Sequence, residues 1–223
     1  MSNEEMLAKV DHTLLKPYAT WADIRQICED AIAYHTATIC IPPSYIGRIR
    51  EAYGDQVTIC TVIGFPLGYQ VTEVKVAEAK KALEDGASEI DMVINIGDAK
   101  GGRFDAVTEE IRTLKKAVGD HVLKVIIETC YLTEEEKIEL CHCVTEAGAD
   151  FIKTSTGFGS AGANLEDVKL LRANVGPQVK VKVKAAGGIR SIADMEDFIN
   201  AGADRLGTSS AIQLIKGENS SGY

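Results

Sequence analysis

The chain has 223 residues, 45% of them hydrophobic, so it is long enough to bury the core of one complete domain. Its formal net charge of −9 excludes general binding to nucleic acid, because contact with a phosphate backbone needs clustered Lys and Arg. The N-terminus is acidic and no segment approaches the ~20 apolar residues of a membrane span, so we expect neither a signal peptide nor a membrane partner.

Six cysteines and four histidines are spread along the chain without the spacing of a disulfide framework or a metal site. The CHC motif at residues 141–143 lies in a helical segment, where successive side chains point about 100° apart and cannot converge on one ion. His12 has a strand position that favours a packed, structural imidazole. We therefore expect a cytoplasmic protein with free thiols and no bound metal.

In chain order, a short N-terminal helix is followed by short β-branched segments that alternate with longer amphipathic ones. The first long helical segment, residues 20–35, begins with Thr20 and Asp23 at the spacing of a capping box. The eight predicted strands are KVDHT (9–13), ATICI (37–41), VTICTVI (57–63), SEIDMVI (88–94), VLKVIIET (122–129), DFIKT (150–154), VKVKVKA (179–185) and DRLGT (204–208).

One junction between a helix and a strand recurs, at residues 83–93, 145–155 and 200–210. Each copy has a helix end, a Gly suited to the left-handed conformation, and then a strand. Eight strands with this repetition predict an α/β fold, a (β/α)8 TIM barrel that forms a single domain over residues 1–223 and ends in a loose tail at about 217–223. The alternative is an open doubly wound sheet, but no G-x-G-x-x-G motif follows the first strand.

Active groups in such a barrel lie where strands end and βα loops begin. Lys153 lies at the end of the sixth strand and Lys184 at the end of the seventh, while Asp91 lies on the fourth. Alternation along each strand turns all three side chains toward the barrel interior. Lys153 is followed by a loop of Thr, Ser and Gly residues (154–162), which we expect to leave its amine reachable.

A lysine attacks a carbonyl only when it is neutral, although its ordinary pKa is about 10.4. Two ammonium groups ~4 Å apart repel by about 4 kcal/mol at an effective dielectric constant near 20. We therefore predict that Lys184 keeps Lys153 uncharged, and that Asp91 holds one lysine protonated and moves protons. Inward lysines can also simply neutralise carboxylates, and we assign that structural role to Lys182. Further candidates for such a neutral layer are Glu89, Lys124 and Glu128.

The loops after strands seven and eight are the usual phosphate site of a barrel, because small residues let backbone amides approach the ligand. The segments KAAGGIR (184–190) and GTSSA (207–211) occupy these positions. For the serines, the alternative is helix capping, which uses the same geometry without a ligand. The candidate phosphate-binding residues are Gly187, Gly188, Gly207, Ser209 and Ser210.

Six motifs resemble those of the deoxyribose-phosphate aldolases, class I enzymes that act through a lysine Schiff base. They are VDHTLLKP, EIDMVINIG, KVIIET, FIKTSTGF, VKAAGGIR and ADRLGTSS, in this order between about residues 8 and 215. The resemblance implies that Lys153 forms the Schiff base, that Lys184 is the second catalytic lysine, and that Asp91 is the proton-relay carboxylate.

The same resemblance implies a phosphate contact at Gly157 and substrate contacts at Asp11 and Thr13. Tyr223 is similar to a C-terminal tyrosine that reaches into the site in some members of the family. The resemblance implies a small sugar phosphate as the ligand. A homodimer is the default assembly of the family, so it also implies a second copy of this chain as a partner.

The implied reaction is the reversible cleavage of 2-deoxy-D-ribose 5-phosphate to D-glyceraldehyde 3-phosphate and acetaldehyde, a step of deoxyribonucleotide catabolism. It needs no cofactor, because the lysine iminium is itself the electron sink. Two alternatives stay open. One is a sugar-phosphate isomerase, although the expected Glu/His pair is missing from the strand ends. The other is a phosphate-binding barrel without activity, which a solvent-exposed Lys153 would favour.

Overall fold

The computed structural model describes residues 1–184, 189 and 191–217. Its strands are β1 (Val10–Thr13), β2 (Thr38–Ile41), β3 (Ile59–Ile63), β4 (Glu89–Val93), β5 (Val122–Ile126), β6 (Phe151–Lys153), β7 (Lys180–Lys184) and β8 (Arg205–Thr208). Its helices are α1 (Asn3–Leu7), α2 (Trp21–Tyr34), α3 (Ile46–Tyr53), α4 (Thr72–Glu84), α5 (Ile96–Lys100), α6 (Phe104–Val118), α7 (Glu134–Glu146), α8 (Leu165–Asn174), α9 (Ile192–Asn200) and α10 (Ala211–Ile215).

The strands form one closed barrel in chain order. Each strand pairs in parallel with the next, and β8 closes the ring by pairing with β1, where Asp11 lies opposite Gly207. All the predicted strands are present, with slightly shorter ends. The predicted (β/α)8 TIM barrel is therefore confirmed, and the open doubly wound sheet is excluded.

The helices between the strands follow the predicted pattern, with two additions. The capping box of α2 is present: the Thr20 side chain accepts from the Asp23 amide, and the Asp23 carboxylate accepts from the Thr20 amide at 2.7 Å. The sequence does not predict helices at α3 and α5. Both are short, at 8 and 5 residues, and each contains a glycine, which lowers its helix propensity.

The recurring junction has one backbone geometry in all three places. Gly86, Gly148 and Gly202 have φ angles of 111°, 76° and 112°, a range that a residue with a Cβ rarely adopts. A buried alanine follows each glycine and leads into β4, β6 or β8. The same short turn thus starts each of these strands at an equivalent point of the barrel.

The main hydrophobic core lies between the barrel and its helices. Outward-facing strand residues such as Ile39, Ile90 and Val125 pack there against the helices. The inward-facing residues include charged side chains and also apolar ones: Val93, Ile126 and Phe151 are buried there, and Leu15, Cys40, Cys60 and Val62 form a small apolar cluster. The barrel interior is therefore the place where the strands hold charged groups.

The searched part of the chain contains no helix with the length and apolar character needed to cross a bilayer. The predicted tail at about 217–223 lies outside the described residues beyond Gly217, and so does Tyr223.

Candidate active site

Asp91 is the centre of the buried polar interior. It lies on β4 between Ile90 and Met92, which pack into the outer core, and strand alternation turns its carboxylate inward as predicted. The side chain has no exposed surface. Three buried lysines, from three consecutive strands, surround it.

Lys153, the last residue of β6, is one of these lysines. Its Nζ lies 2.6 Å from Asp91 Oδ2, so the carboxylate pairs with this lysine at the strand end. The sequence predicts that solvent reaches this amine, but the structure shows otherwise. Lys153 is 0% exposed. The small residues of the following loop, Thr154, Ser155 and Thr156, are themselves buried and fold over the site. The Lys153 amine is therefore enclosed by its neighbours in this structure.

The strand register places Lys182, and not Lys184, directly opposite Lys153. Lys182 Nζ lies 2.8 Å from Asp91 Oδ2, the same oxygen that binds Lys153, and also contacts the Asp11 carboxylate. Lys184 lies two residues after Lys182 on β7, where it pairs with Gly207 of β8. The side chain of Lys184 lies outside the described part of the structure.

The third lysine, Lys124 of β5, extends the cluster to a deeper layer. Its Nζ lies 3.0 Å from Asp91 Oδ1 and 3.7 Å from Asp11 Oδ2, and it also contacts the Glu89 carboxylate. Arg205 of β8 joins the Asp11 and Glu89 carboxylates from below. Among the described residues, the contacts thus join three carboxylates (Asp11, Glu89, Asp91) to four cations (Lys124, Lys153, Lys182, Arg205).

These contacts change the protonation of the cluster in a consistent direction. Burial alone would raise the pKa of Asp91, but the positive charges of the lysines more than offset it and hold that pKa well below its usual value. Burial would lower the pKa of Lys182, but Asp11 and Asp91 together raise it above the ordinary lysine value. The pKa of Lys124 is raised well above the ordinary value for the same reason. Asp91, Lys124 and Lys182 are therefore all charged near neutral pH.

Asp11 and Thr13, the two predicted substrate contacts on β1, lie at different depths. The fully buried Asp11 carboxylate accepts a hydrogen bond from Thr38 Oγ1 at 2.7 Å, besides its contacts with Lys182 and Arg205. Thr13, at the strand end, donates its hydroxyl to the Asp11 carbonyl at 2.8 Å. Asp11 thus belongs to the deeper ion-pair layer, while Thr13 lies nearer the mouth of the barrel.

The position of Glu128 differs from the prediction. The sequence predicts Glu128 in the neutral layer of the barrel interior. In the structure it follows β5 with φ of 55° and turns toward the loop after β6. Its carboxylate accepts from the Thr156 amide at 3.1 Å and from the Thr156 hydroxyl. Burial raises the pKa of Glu128, although the hydrogen bonds from Thr156 and the charge of Lys153 oppose this. The sequence contained a signal for this position, because Glu128 lies near the end of the predicted fifth strand (122–129), where βα loops begin.

The predicted phosphate residues are only partly within the described structure. Gly157 follows Thr156 with φ of 91°, and Gly207 is buried in β8 opposite Asp11 and Lys184. Ser210 precedes α10, but its hydroxyl makes no capping bond to that helix and instead lies 3.0 Å from Thr208 Oγ1. Capping therefore does not account for Ser210. The predicted contacts at Gly187 and Gly188 lie outside the described residues.

Thr13 and Ser209 also border a cavity of about 440 Å³ between α2 and α10. His12 lines it too, with its Nε2 3.8 Å from an Asp30 carboxylate oxygen, on the outward face of β1 that the sequence indicated. Lys153 and Asp91 do not line this cavity. It lies beside the barrel and is separate from the lysine cluster.

Two cysteines lie beside Asp91 in the barrel interior. Cys40 and Cys60 lie opposite each other on β2 and β3, and Cys60 Sγ is 3.1 Å from Asp91 Oδ1. Their sulfurs and an Asp91 oxygen lie within 4.8 Å of one another, a spacing that could hold a metal ion. The charges of Lys124, Lys153 and Lys182 around that carboxylate oppose a further cation there.

Comparison with known proteins places this barrel in one family. A model of the family described as "DeoC/LacD family aldolase" matches residues 5–212. The chain belongs to the DeoC/LacD family of aldolases. The resemblance of its motifs to the deoxyribose-phosphate aldolases is thereby confirmed.

Individual relatives of this aldolase family match over nearly the whole chain. A deoxyribose-phosphate aldolase of Clostridium botulinum (strain Alaska E43 / Type E3) is 64% identical over 223 residues, covering 100% of both chains. One from Clostridioides difficile (strain 630) is 56% identical and covers 99% of this chain and 100% of its own. Among solved structures, the tetrameric deoxyribose phosphate aldolase from Aeropyrum pernix has a TM-score of 0.87 at 35% identity, covering 97% of this chain and 92% of its own.

Proposed function

We propose that this aldolase catalyses the reversible cleavage of 2-deoxy-D-ribose 5-phosphate to D-glyceraldehyde 3-phosphate and acetaldehyde through a lysine Schiff base. The observation that carries the proposal is the pairing of Lys153 with Asp91 at the end of β6, inside a barrel of this family. The alternative of an inactive phosphate-binding barrel relied on an exposed Lys153, and this lysine is buried. The isomerase alternative needs a Glu/His pair at the strand ends, whereas the described interior brings Asp91 together with Lys153 and Lys182.

In the proposed mechanism, the uncharged amine of Lys153 attacks the C1 aldehyde of the open-chain sugar and loses water to form an iminium. The iminium nitrogen draws electrons from the C2–C3 bond, which breaks as the C3 hydroxyl loses its proton. D-glyceraldehyde 3-phosphate leaves, and the remaining enamine is protonated at C2 and hydrolysed to acetaldehyde. The reverse sequence of steps is aldol addition.

Asp91 is the proposed proton carrier of these steps. Its Oδ2 lies at hydrogen-bond distance from Lys153 Nζ, so the ionised carboxylate can orient this amine and pass protons between it, water and the substrate. Lys184 is proposed as the second catalytic lysine, at the end of the neighbouring strand. Because Asp11 is bound to Lys182 and Arg205, we propose that it holds those cations in place, and that Thr13 is the residue of β1 nearer the substrate.

The phosphate group is proposed to bind at the ends of β6, β7 and β8. The residues assigned to it are Gly157, Gly187, Gly188, Gly207, Ser209 and Ser210. Ser210 supports this assignment, because its hydroxyl is not used for capping. We also propose a cytoplasmic location, in keeping with six free cysteines, and a homodimer.

The proposal is tested by replacing the reacting amine without removing its charge. Lys153→Arg keeps a cation beside Asp91 but cannot form an imine. We expect this variant to fold and to lose cleavage of 2-deoxy-D-ribose 5-phosphate by roughly a thousandfold or more, measured by coupled detection of both products. The control is Lys180→Arg, an exposed position on β7, which keeps wild-type rates. Wild-type conversion of the sugar to a ketose without acetaldehyde would establish the isomerase instead.

A further inference from the structure

Lys182 contacts the same oxygen as the proposed Schiff-base lysine. Lys153 Nζ and Lys182 Nζ lie 2.6 Å and 2.8 Å from Asp91 Oδ2, and the two residues are register partners on β6 and β7. Because both nitrogens lie against one oxygen, the two ammonium groups are close together inside the barrel. Lys182 is therefore the nearest described positive charge to Lys153 along the neighbouring strand.

The number of carboxylate contacts differs between the cations of the cluster. Lys124 contacts Asp11, Glu89 and Asp91, and Lys182 contacts Asp11 and Asp91, whereas Lys153 contacts Asp91 alone. Arginine does not lose its proton in proteins, so Arg205 stays charged. Loss of a proton from Lys153 therefore disrupts fewer ion pairs than loss of one from either other lysine. It also makes the number of cations equal to the number of carboxylates.

We propose that Lys182 is a positioning residue for the reaction, which holds Asp91 Oδ2 against Lys153 and supplies the permanent positive charge that favours the uncharged Lys153 amine. This inference rests on the proposed function and gives Lys182 more than the structural role assigned from the sequence. It adds a second source of charge repulsion, two residues before Lys184 on β7, to the one predicted for Lys184.

The permanence of this charge follows from the contacts of Lys182. Its ammonium is wholly buried between two carboxylates, and both of them raise its pKa above the ordinary value. Lys182 thus keeps its proton near neutral pH. The titratable and charged groups that face it from the surrounding strands are Asp11 (β1), Cys40 (β2), Cys60 (β3), Glu89 and Asp91 (β4), Lys124 (β5), Lys153 (β6) and Arg205 (β8).

Lys182→Met is the direct test, because methionine fills the same space without a charge. The three cations that remain then match the three carboxylates only if Lys153 keeps its proton. The readout is the initial rate of imine trapping on Lys153 by acetaldehyde and cyanoborohydride, measured against pH. We expect the rising limb of this profile to move up by about one to two pH units, with at least a tenfold lower rate at neutral pH.

Three further variants separate charge from structure. Lys182→Gln is a second uncharged variant in case the methionine variant does not fold, and it gives the same shift. Lys182→Arg restores the cation and returns the profile toward wild type. Lys180→Met makes the matched change two residues away on the same strand at an exposed position, and leaves the profile unchanged. The hydrogen bond with Cys60 lowers the pKa of Cys40 to about 6, so this thiol can also contribute to the pH profile. Repeating the comparison in a Cys40→Ser background removes that contribution.

The outcomes distinguish this inference from the proposed function. No trapping on Lys153 in the wild-type enzyme contradicts the proposed function. Normal trapping in the wild type, with an unchanged pH profile in folded Lys182→Met or Lys182→Gln, overturns the inference alone. Lower thermal stability of these variants without a shifted profile means that Lys182 is only a structural counter-ion.

Discussion

At the scale of single residues, the site depends on how one carboxylate is shared. Asp91 accepts from Lys153 and Lys182 through one oxygen and from Lys124 through the other. The inward direction of each side chain followed from strand alternation, so the sequence could predict which residues face the interior. It could not predict that Lys182 lies opposite Lys153, because the register between neighbouring strands depends on how the whole barrel closes.

Asp91→Asn tests this sharing. The amide leaves Lys124 and Lys182 buried with fewer counter-charges, so we expect the free energy of unfolding to fall by about 3–5 kcal/mol. We also expect the rate of cleavage to fall by roughly a hundredfold or more. Because the pKa of Asp91 is lowered on folding, its ionised form stabilises the protein above the unfolded value of about 3.9. The difference between wild type and variant must therefore shrink as pH falls below that value.

Urea unfolding across pH 3–8 measures this difference. The control is Asp85→Asn, which breaks a surface ion pair with Lys81 and costs less than about 1 kcal/mol. Equal losses of stability in the two variants at pH 7 would show that the buried ion pairs of Asp91 add nothing to folding.

At the scale of elements, the loop after β6 is fixed by a residue from the neighbouring strand. Glu128 binds the amide and hydroxyl of Thr156, and Gly159 packs so closely on Glu128 that a Cβ at this position would lie 3.1 Å from its carboxyl carbon. The sequence predicted a loop of Thr, Ser and Gly residues that leaves the Lys153 amine reachable. A contact between two loops far apart in the chain has no local pattern, so the closed form of this loop could not be predicted.

Glu128→Gln tests whether this contact positions the proposed phosphate loop. The amide accepts more weakly than a carboxylate and has one accepting oxygen, so Gly157 loses part of its support. We expect KM for 2-deoxy-D-ribose 5-phosphate to rise roughly tenfold, while imine trapping of acetaldehyde, which has no phosphate, stays near wild type. Glu135→Gln, an exposed change on α7, is the control. An unchanged KM would show that Glu128 does not support phosphate binding.

At the scale of the whole molecule, the fold could be predicted almost entirely from the sequence. Eight β-branched segments, a repeated junction and the absence of a dinucleotide motif led to the closed barrel, because each repeat carries its own local signals. The missing parts were the short helices α3 and α5 and the depth of the lysine site beneath its loop. The burial of Lys153 is a property of the packed molecule, and no segment of the sequence contains it.

Lys153, although buried, is the amine proposed to form the imine. The most direct test of this proposal is to incubate the native enzyme with acetaldehyde, reduce with borohydride and locate the modified lysine by peptide mass spectrometry. We expect one ethyl group on Lys153, formed before any surface lysine reacts and absent when the enzyme is heat-denatured before the incubation. Modification of Lys184 or of surface lysines, with Lys153 unmodified in an enzyme that still cleaves its substrate, would contradict it.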